Sequence, residues 1–545
     1  MSVMSWPVLR RVGAMLILGT GLAGSLAPHA ARGASIHVSG SMAAGTILRI
    51  ADEGENDLPS IDPPSPSAGD AQSNLVEGLI FGGLTRLDDR LRVQPNAASS
   101  WTISRDGRVY TFTLRRGLRF ADGTPVTAAD VVWSFNRAFS PAFASGNTGY
   151  YLSHIVGGLD VTNKKARSVR GIKGLGSDRV QITLDAPEAV ILDQLAYSVA
   201  DIVPRHLVTR GGTRWTEHAA GLGPFMVKQW KHGQEIDLAP NPYYWRGKPK
   251  VGGLNVLFVQ DAGTAFNLYR TGAVDVMGAI HFPNSRLHEM LGTPDLHEKA
   301  QLFTEYLTPS EHKAPFDNVL VRRAFSYAIN RATIAKLLQN RILPASGILP
   351  PGMPGYDPSA PGQTFNPALA VRLLAQAGYP GGKGLPKISL AVDGGDADGQ
   401  TKAIALRTFW KRVLGVEVTL NSLEHGAYNN ALTARNYQLA FIAWGADYPD
   451  PQNFLSLQLQ TGAPNNNGSY SNATFDSLTR RADVLVGNNA QRLSLYRQAE
   501  RLAVNDAAWI VLDWNKADIL IRPSVHGLVV NGLGLTAPNW ADVTK

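Results

Sequence analysis

The stretch from Lys387 to Ala443 constrains the fold most, because strand and helix patterns alternate within it. Lys387–Val392 and Val416–Leu420 are apolar runs of strand length, and Ala403–Val413 between them carries a helical pattern. A β-α-β order of this kind pairs its strands in parallel through a right-handed crossover. Leu439–Ala443 is a third apolar run. It is predicted to be a strand buried on both faces that continues the same sheet.

A candidate binding motif follows directly on this last strand. Trp444 offers a flat apolar wall, Gly445 lets another backbone approach closely, and Asp447 supplies one negative charge. Ligands of open α/β sheets bind in the crevice outside the carboxyl ends of the strands. The motif therefore suits a small or extended ligand that carries a cation. The alternative is structural, since an aspartate before a proline-containing turn is a common turn former.

The length and composition indicate a folded, multidomain protein. The chain has 545 residues, of which 44% are hydrophobic and 18% charged, and this length accommodates two to four domain-sized units. It contains no cysteine, which excludes disulfides, thiolate metal sites and cysteine nucleophiles. Strands and helices alternate throughout, which predicts an α/β architecture of more than one lobe.

The N-terminus has the pattern of a secretory signal peptide. Arg10 and Arg11 precede the mostly apolar run Val12–Ala27, and Ala31-Arg-Gly33 fits a cleavage site between small residues. The run is too short and too rich in glycine for a membrane span. We expect cleavage near Gly33 and, because no cysteine is present for a lipid anchor, a soluble periplasmic product.

Several function classes find no support in the sequence. Loss of the three arginines of the leader lowers the net charge from +8 to +5, and we expect no nucleic-acid binding because no long basic run is interleaved with aromatic residues. The mature chain has neither a G-x-S-x-G elbow nor an H-E-x-x-H motif. His281, His288 and His297 lack the spacing of helical metal ligands, so no metal and no cofactor are predicted.

Two helix predictions are specific enough to test. Asn74–Phe81 is predicted to be a helix with Asn74 as its cap. Pro315–Asn318 is predicted to cap a second helix, whose apolar residues share one face and whose Arg322, Arg323 and Arg331 point outward.

A set of longer motifs resembles the peptide/nickel family (family 5) of extracytoplasmic solute-binding proteins, the receptors of ATP-driven importers. The matching segments occur in the order of that family and extend from about Ile47 to near the C-terminus. They are Phe120–Phe135, Gly223–Phe225, Asn241–Trp245, Gly272–Asp275, Arg322–Arg331 and Leu374–Tyr379.

Within that family the motif at Trp444 is most similar to the oligopeptide-binding branch. The resemblance implies that Asp447 grips the α-ammonium of a peptide and that the backbones of Ala443 and Gly445 pair with its main chain. Some members carry an arginine that meets the peptide carboxylate at the position where this chain has Phe441. Two alternatives follow: either Arg435 substitutes for it, or longer peptides need no such partner. The predicted ligand-binding set is Asp447, Trp444, Gly445, Ala443, Arg435 and Tyr306.

The resemblance also implies a periplasmic-binding-protein-like (type II) α/β fold with three lobes and a hinged ligand cleft. The predicted division is a signal peptide over residues 1–34, lobe I over 35–78, 206–305 and 512–545, lobe II over 79–205 and lobe III over 306–511. The expected function is capture of short peptides, without catalysis, by a monomer that delivers them to the membrane permease and ATPase subunits of an ABC importer. Two alternatives stay open: a non-peptide cargo (nickel chelate, haem, opine or sugar), and an exported peptide hydrolase.

Overall fold

The structure is a computed structural model that describes residues 46–53, 56–65, 71–144, 146–278 and 284–545. The predicted signal peptide and His281 lie outside these residues. Among the helices that the structure describes, none combines the length and the apolar character that crossing a bilayer requires.

The strands are β1 (Ile47–Glu53), β2 (Thr85–Leu87), β3 (Val93–Pro95), β4 (Ala98–Ile103), β5 (Val109–Leu114), β6 (Ile172–Gly174), β7 (Arg179–Thr183), β8 (Phe225–Lys231), β9 (Glu235–Pro240), β10 (Gly253–Val259), β11 (Val276–Met277), β12 (Leu296–Pro309), β13 (Ile342–Pro344), β14 (Ile388–Asp393), β15 (Val418–Leu423), β16 (Leu439–Gly445), β17 (Ile510–Ile521), β18 (Val529–Asn531) and β19 (Gly534–Thr536). The α-helices are α1 (Ala71–Ile80), α2 (Ala128–Ala138), α3 (Thr148–Tyr151), α4 (Gly158–Thr162), α5 (Ile191–Gln194), α6 (Arg205–Gly211), α7 (Ala262–Thr271), α8 (Val319–Tyr327), α9 (Arg331–Leu337), α10 (Pro367–Gln376), α11 (Ala397–Leu414), α12 (His425–Thr433), α13 (Ser456–Leu459), α14 (Ala473–Asp483) and α15 (Asn489–Asn505).

A large mixed sheet runs through the molecule in the order β15-β14-β16-β12-β17-β11-β1-β10-β9-β8, with β13 paired to β17. β14 is parallel to both β15 and β16, and α11 connects β14 to β15. The β-α-β prediction and its continuation by the strand at Leu439 are therefore confirmed. A separate antiparallel sheet has the order β4-β5-β7-β6.

Buried apolar side chains form separate cores on these sheets. One core gathers residues of the segment from Leu84 to Leu222 around the four-stranded sheet, and Tyr448 from the loop after β16 inserts into it. Others pack the β12, β14, β16 and β17 region against α8, α10, α11, α14 and α15. A further core packs β1, β8, β9 and β10 against α1. The loop after β16 thus joins two packing regions.

Local sequence signals explain most helix ends, and two predictions need correction. Asn318 caps α8 as predicted, because its side chain accepts the Leu320 N–H (2.9 Å). Helix α1 begins three residues before Asn74, so Asn74 is not its cap. Arg322 and Arg331 are buried instead of outward. Their guanidinium groups bond backbone carbonyls from distant segments, which periodicity within one helix cannot reveal.

Candidate functional site

The loop after β16 holds Trp444 and Asp447 through one amide. The Trp444 indole N–H donates to Oδ1 of Asn453 (2.8 Å), and Nδ2 of Asn453 donates to Oδ2 of Asp447 (3.1 Å). Asn453 is fully buried, which fixes the geometry of both side chains. The sequence motif indicates Trp444 and Asp447 but contains no signal for this amide, although Asn453 lies only six residues beyond the aspartate.

The same carboxylate is bonded by a residue from a distant part of the chain. The Tyr151 hydroxyl, at the end of α3, donates to Oδ2 of Asp447. The Tyr151 ring packs edge-on against Tyr197 (centroids 5.2 Å apart) and Tyr448 (5.9 Å). Its neighbour Tyr150 donates to the Leu457 carbonyl (3.0 Å). An aromatic wall from the first core therefore faces Asp447.

Burial raises the pKa of Asp447 above its ordinary value, and hydrogen bonds from Tyr151, Asn453 and Tyr197 partly oppose that rise. The three named donors are neutral, so they solvate the carboxylate without neutralising it. A cation that entered would remove the electrostatic cost of this buried charge. The electrostatics favour a ligand with a positive charge.

Strand β12 pairs with one edge of β16 and therefore bonds only the backbone N–H and C=O groups that point to that edge. These strands are antiparallel, and the Ala446 N–H donates to the Leu302 carbonyl (2.8 Å) at one end while the Ser310 N–H donates to the Gln438 carbonyl (2.9 Å) at the other. Hydrogen-bonded pairs alternate along an antiparallel ladder. The even-numbered residues of β16 therefore bond β12, and the odd-numbered residues direct their N–H and C=O groups to the opposite edge.

That opposite edge is open beside Asp447 and closed further along. β14 pairs with β16 only as far as Ala440, and the Tyr428 hydroxyl of α12 then donates to the Phe441 carbonyl. Beyond this point, among the strands that the structure describes, none pairs with Ala443 and Gly445 on this edge. The prediction that this strand is buried on both faces fails at Ala443. That residue is exposed, because β14 has diverged from β16 there.

Gly445 has a packing neighbour that explains its residue type. A Cβ atom at this position would lie 3.0 Å from Cδ2 of Phe303 on β12. The close contact is thus with a neighbouring aromatic ring, and it leaves the outward backbone groups of Gly445 uncovered by a side chain of its own.

Two residues of the predicted set lie away from this edge. Tyr306 is buried, and its ring stacks on Trp509 (centroids 3.5 Å apart, 7° between planes), so its side chain serves core packing. Arg435 is exposed in the turn between α12 and β16. It precedes β16, whereas Asp447 follows it, and a seven-residue strand spans roughly 20 Å. The structure does not bring Tyr306 or Arg435 together with Asp447.

Within the described chain, His, Asp and Glu side chains do not gather in groups of three or more that could hold a metal ion. The donor set around Asp447 is itself unsuited to a cation such as Zn²⁺, because it offers one carboxylate with a phenol and an amide. The arrangement is an open strand edge with one charged end.

A mixed α/β fold with an open strand edge ending in a half-buried carboxylate defines an extracytoplasmic solute-binding protein of the ABC-importer type. The model of the bacterial extracellular solute-binding proteins, family 5 (middle region), matches residues 92–466, and the chain belongs to this family. Its relatives include members of the oligopeptide-binding branch.

Relatives match along most of their length. The chain is 30% identical over 482 residues to the probable deoxycholate-binding periplasmic protein YgiS of Escherichia coli, covering 87% of this chain and 89% of that protein. It is also 30% identical over 486 residues to the periplasmic oligopeptide-binding protein OppA of Salmonella typhimurium, covering 87% and 88%. Among solved structures, the periplasmic oligopeptide-binding protein OppAIV of Borrelia burgdorferi superposes with a TM-score of 0.76 at 27% identity, covering 92% and 99%. The predicted family and type II fold are confirmed.

Proposed function

We propose that this protein captures short peptides at the open edge of β16 and delivers them to an ABC-type permease. The observation that supports this is the pairing of two features within five residues: outward backbone groups at Ala443 and Gly445, and the half-buried carboxylate of Asp447. A peptide has the matching pair, a main chain that can add as a strand and an α-ammonium at its end. Strand addition supplies affinity without reading side chains.

The length of the open edge indicates how much of a peptide pairs. Tyr428 occupies the Phe441 carbonyl, so pairing extends only over Ala443 and Gly445. Two outward residues on one strand serve about three residues of an added strand, because alternate residues bond. Longer peptides must leave the edge beyond that point. Arg435 lies past Phe441, so it can meet a peptide carboxylate only if the peptide departs toward α12.

The remaining features of the receptor belong to the same proposal. The three lobes, with the boundaries given above, close around the ligand by hinge motion. The contact of Tyr151 with Asp447 joins the proposed lobes II and III at the ligand. The protein is secreted with cleavage of residues 1–34, acts as a monomer without catalysis, and docks on the permease and ATPase assembly of its importer. Relatives that are periplasmic oligopeptide-binding proteins support this proposal.

The decisive experiment removes the charge of Asp447 in one arm and the charge of the peptide α-amine in the other. We expect Asp447→Asn to weaken binding of a tripeptide by roughly 2–5 kcal/mol in calorimetric titration, because a closed charge-assisted contact loses one partner. The matched ligand control is the same tripeptide with an acetylated α-amine. It should bind wild-type protein weakly, and Asp447→Asn should not weaken it further.

Equal affinities of wild-type protein and Asp447→Asn for the free tripeptide would defeat the peptide proposal. Deoxycholate is the second ligand to titrate, because one relative has that ligand in its name. Deoxycholate is an anion, and its carboxylate would be repelled by Asp447. We therefore expect it to bind less tightly than the tripeptide, and tight deoxycholate binding that Asp447→Asn strengthens would favour the non-peptide alternative.

The hydrolase alternative is separated by product analysis. The protein is incubated with a mixture of peptides and the mixture is examined by mass spectrometry. A receptor leaves the peptides intact and retains some of them through gel filtration. Fragments that accumulate with multiple turnovers would favour the hydrolase.

A further inference from the structure

Three arginines from separate elements converge on one aromatic turn. Arg86 lies on β2, Arg115 directly follows β5, and Arg246 directly follows the motif that ends at Trp245. Asn96 links β2 to this motif, because its N–H donates to the Leu84 carbonyl (3.1 Å) and its Oδ1 accepts the Trp245 indole N–H (3.1 Å). The Arg115 guanidinium carbon lies 3.5 Å from the centroid of the Trp245 ring, and that of Arg246 lies 5.8 Å from the same centroid. We call Arg86, Arg115 and Arg246 the arginine cluster.

The charges of the arginine cluster act on one another. Burial and then the charge of Arg246 lower the pKa of Arg86, and the same two causes lower the pKa of Arg115. All three side chains are half-buried, so they are partly shielded from water yet reachable from it. Like charges held this close repel, and the repulsion is relieved when an anion binds between them.

The described residues supply little negative charge to compensate. None of the three arginines takes part in an ion pair within the described residues. Asp88 is near enough to raise the pKa of Arg86. Its carboxylate, however, already accepts from Nε of Arg92 (3.0 Å) and Nε2 of Gln94 (3.2 Å). The cluster therefore keeps a net positive charge.

Some N–H donors of the arginine cluster also have no hydrogen-bond acceptor within the described residues. Each arginine is anchored by one backbone carbonyl: Arg86 by Leu87 (3.2 Å), Arg115 by Asn96 (2.6 Å) and Arg246 by Pro538 (2.7 Å). The buried Nε of Arg86 has no hydrogen-bond partner among the described residues. An unsatisfied buried donor costs free energy unless a ligand or water meets it.

Packing alone does not account for this arrangement. Stacking on Trp245 explains Arg115, since a guanidinium over an indole is a favourable contact. It does not explain why Arg86 and Arg246 are added beside it without a carboxylate. Guanidinium groups present forked N–H donors that match the oxygens of phosphate, and the Tyr244 hydroxyl, whose pKa burial raises against the effect of the nearby charge of Arg246, adds a polar group at the same place.

We propose that the arginine cluster is a binding site for a phosphate-type oxyanion, separate from the peptide edge at β16. The oxyanion lies against the terminal N–H groups of Arg86 and Arg246 and has Trp245 and Arg115 as its floor. Two sources supply such an anion to an extracytoplasmic protein: free phosphate, and the phosphodiester headgroup of an anionic phospholipid.

Calorimetric titration with inorganic phosphate tests the site on the full chain. We expect saturable binding to wild-type protein, weakened about tenfold or more in both Arg86→Gln and Arg246→Gln, because each removes a charge-assisted donor. The matched control is Arg372→Gln, which removes an exposed arginine of α10 and should leave phosphate binding unchanged. Arg246→Lys, which keeps the charge but not the fork, should fall between. Tripeptide binding by each variant verifies the fold.

Sedimentation with vesicles separates the two sources. Binding to phosphatidylglycerol but not phosphatidylcholine vesicles, lost in Arg246→Gln and retained in Arg372→Gln, supports the lipid headgroup. Phosphate binding without vesicle binding supports the free anion. Wild-type protein that binds neither, or Arg86→Gln and Arg246→Gln variants that fold and bind both as tightly as wild type, would overturn the proposal.

Discussion

At the scale of single residues, the chemistry of the site rests on a carboxylate whose named hydrogen-bond donors are neutral. Tyr151 and Asn453 both donate to Asp447, and burial still raises its pKa. The ionised form is the one that attracts an ammonium group. Peptide affinity should therefore be highest above the pKa of Asp447 and below that of the peptide α-amine, which is about 8, and it should be lost as the pH falls through the pKa of Asp447.

Tyr151→Phe tests this coupling. Loss of the phenol removes a hydrogen bond that lowers the pKa of Asp447, so that pKa should rise further. We expect tripeptide affinity to decline with acidification from a higher pH than in wild-type protein, and the affinity at a given pH on that decline to be lower. Titrations between pH 5 and pH 8 measure both effects. Tyr150→Phe is the matched control, because Tyr150 bonds the Leu457 carbonyl instead, and identical profiles in all three proteins would contradict the prediction.

At the scale of elements, β16 divides its backbone groups between a partner strand and a free edge. Trp444 pairs with Thr304 on β12, while Ala443 directs its N–H to the edge that β14 leaves. Proline is tolerated in a strand where its missing N–H faces no ladder partner. The two neighbouring positions should therefore respond differently to the same substitution.

Ala443→Pro should preserve the fold and weaken tripeptide binding about tenfold, because one main-chain hydrogen bond to the ligand is lost. Trp444→Pro is the comparison: it removes a bond to β12 and should lower the unfolding temperature. Calorimetric titration and thermal unfolding measure the two effects. An Ala443→Pro protein that is stable and binds at wild-type affinity would exclude strand addition at this edge.

The sheet that carries the site also encloses a buried charge triad. Lys402 of α11 lies within reach of Glu305 on β12 (2.5 Å) and Asp513 on β17 (3.1 Å), and Lys402 and Asp513 are almost fully buried. Burial and then the charge of Glu305 raise the pKa of Asp513 to about 7, which Lys402 opposes. The positive charge of Lys402 therefore compensates the negative charges of the two carboxylates within the sheet.

Lys402→Met should lower the free energy of unfolding by about 3–5 kcal/mol near pH 8, because it leaves buried charge without a partner. The loss should shrink toward pH 5, where Asp513 takes up a proton in the folded state. Urea unfolding at both pH values measures the difference. Lys411→Met, which breaks only an exposed pair with Glu417, should cost no more than about 1 kcal/mol, and equal losses in the two variants would refute the buried-triad account.

At the scale of the whole molecule, the sequence predicts what is local and misses what is distant. The parallel strands at Leu390 and Val418 and the capping role of Asn318 follow from short-range patterns, and the structure has them. Tyr151 could not be predicted as a partner of Asp447, because 296 residues separate them and its helix has only four residues. The position of Arg322 failed for the same reason, since the Asp506 carbonyl that it bonds lies 184 residues away.

Buried carboxyl groups should make the free energy of unfolding depend on pH, and Glu500 is the clearest example. It is 8% exposed and accepts the N–H groups of Ile348 (3.0 Å) and Leu349 (2.9 Å), yet burial raises its pKa to about 7 from 4.5. The folded protein thus binds this proton more tightly than the unfolded chain. The stabilisation that the proton gives is complete below about pH 4.5 and is lost as the pH rises to about 7.

Glu500→Gln keeps the acceptor oxygen for both N–H groups and removes the charge. We expect it to raise the free energy of unfolding by about 1–3 kcal/mol near pH 8, where wild-type Glu500 is ionised in its buried position, and by progressively less toward pH 5. Chemical unfolding across this range measures the difference, with the exposed Glu417→Gln as a control that should show no such trend. A Glu500→Gln protein that is less stable than wild type at pH 8 would contradict this prediction. In that case the hydrogen bonds from the two backbone N–H groups to the ionised carboxylate would stabilise the fold by more than the burial of its charge destabilises it.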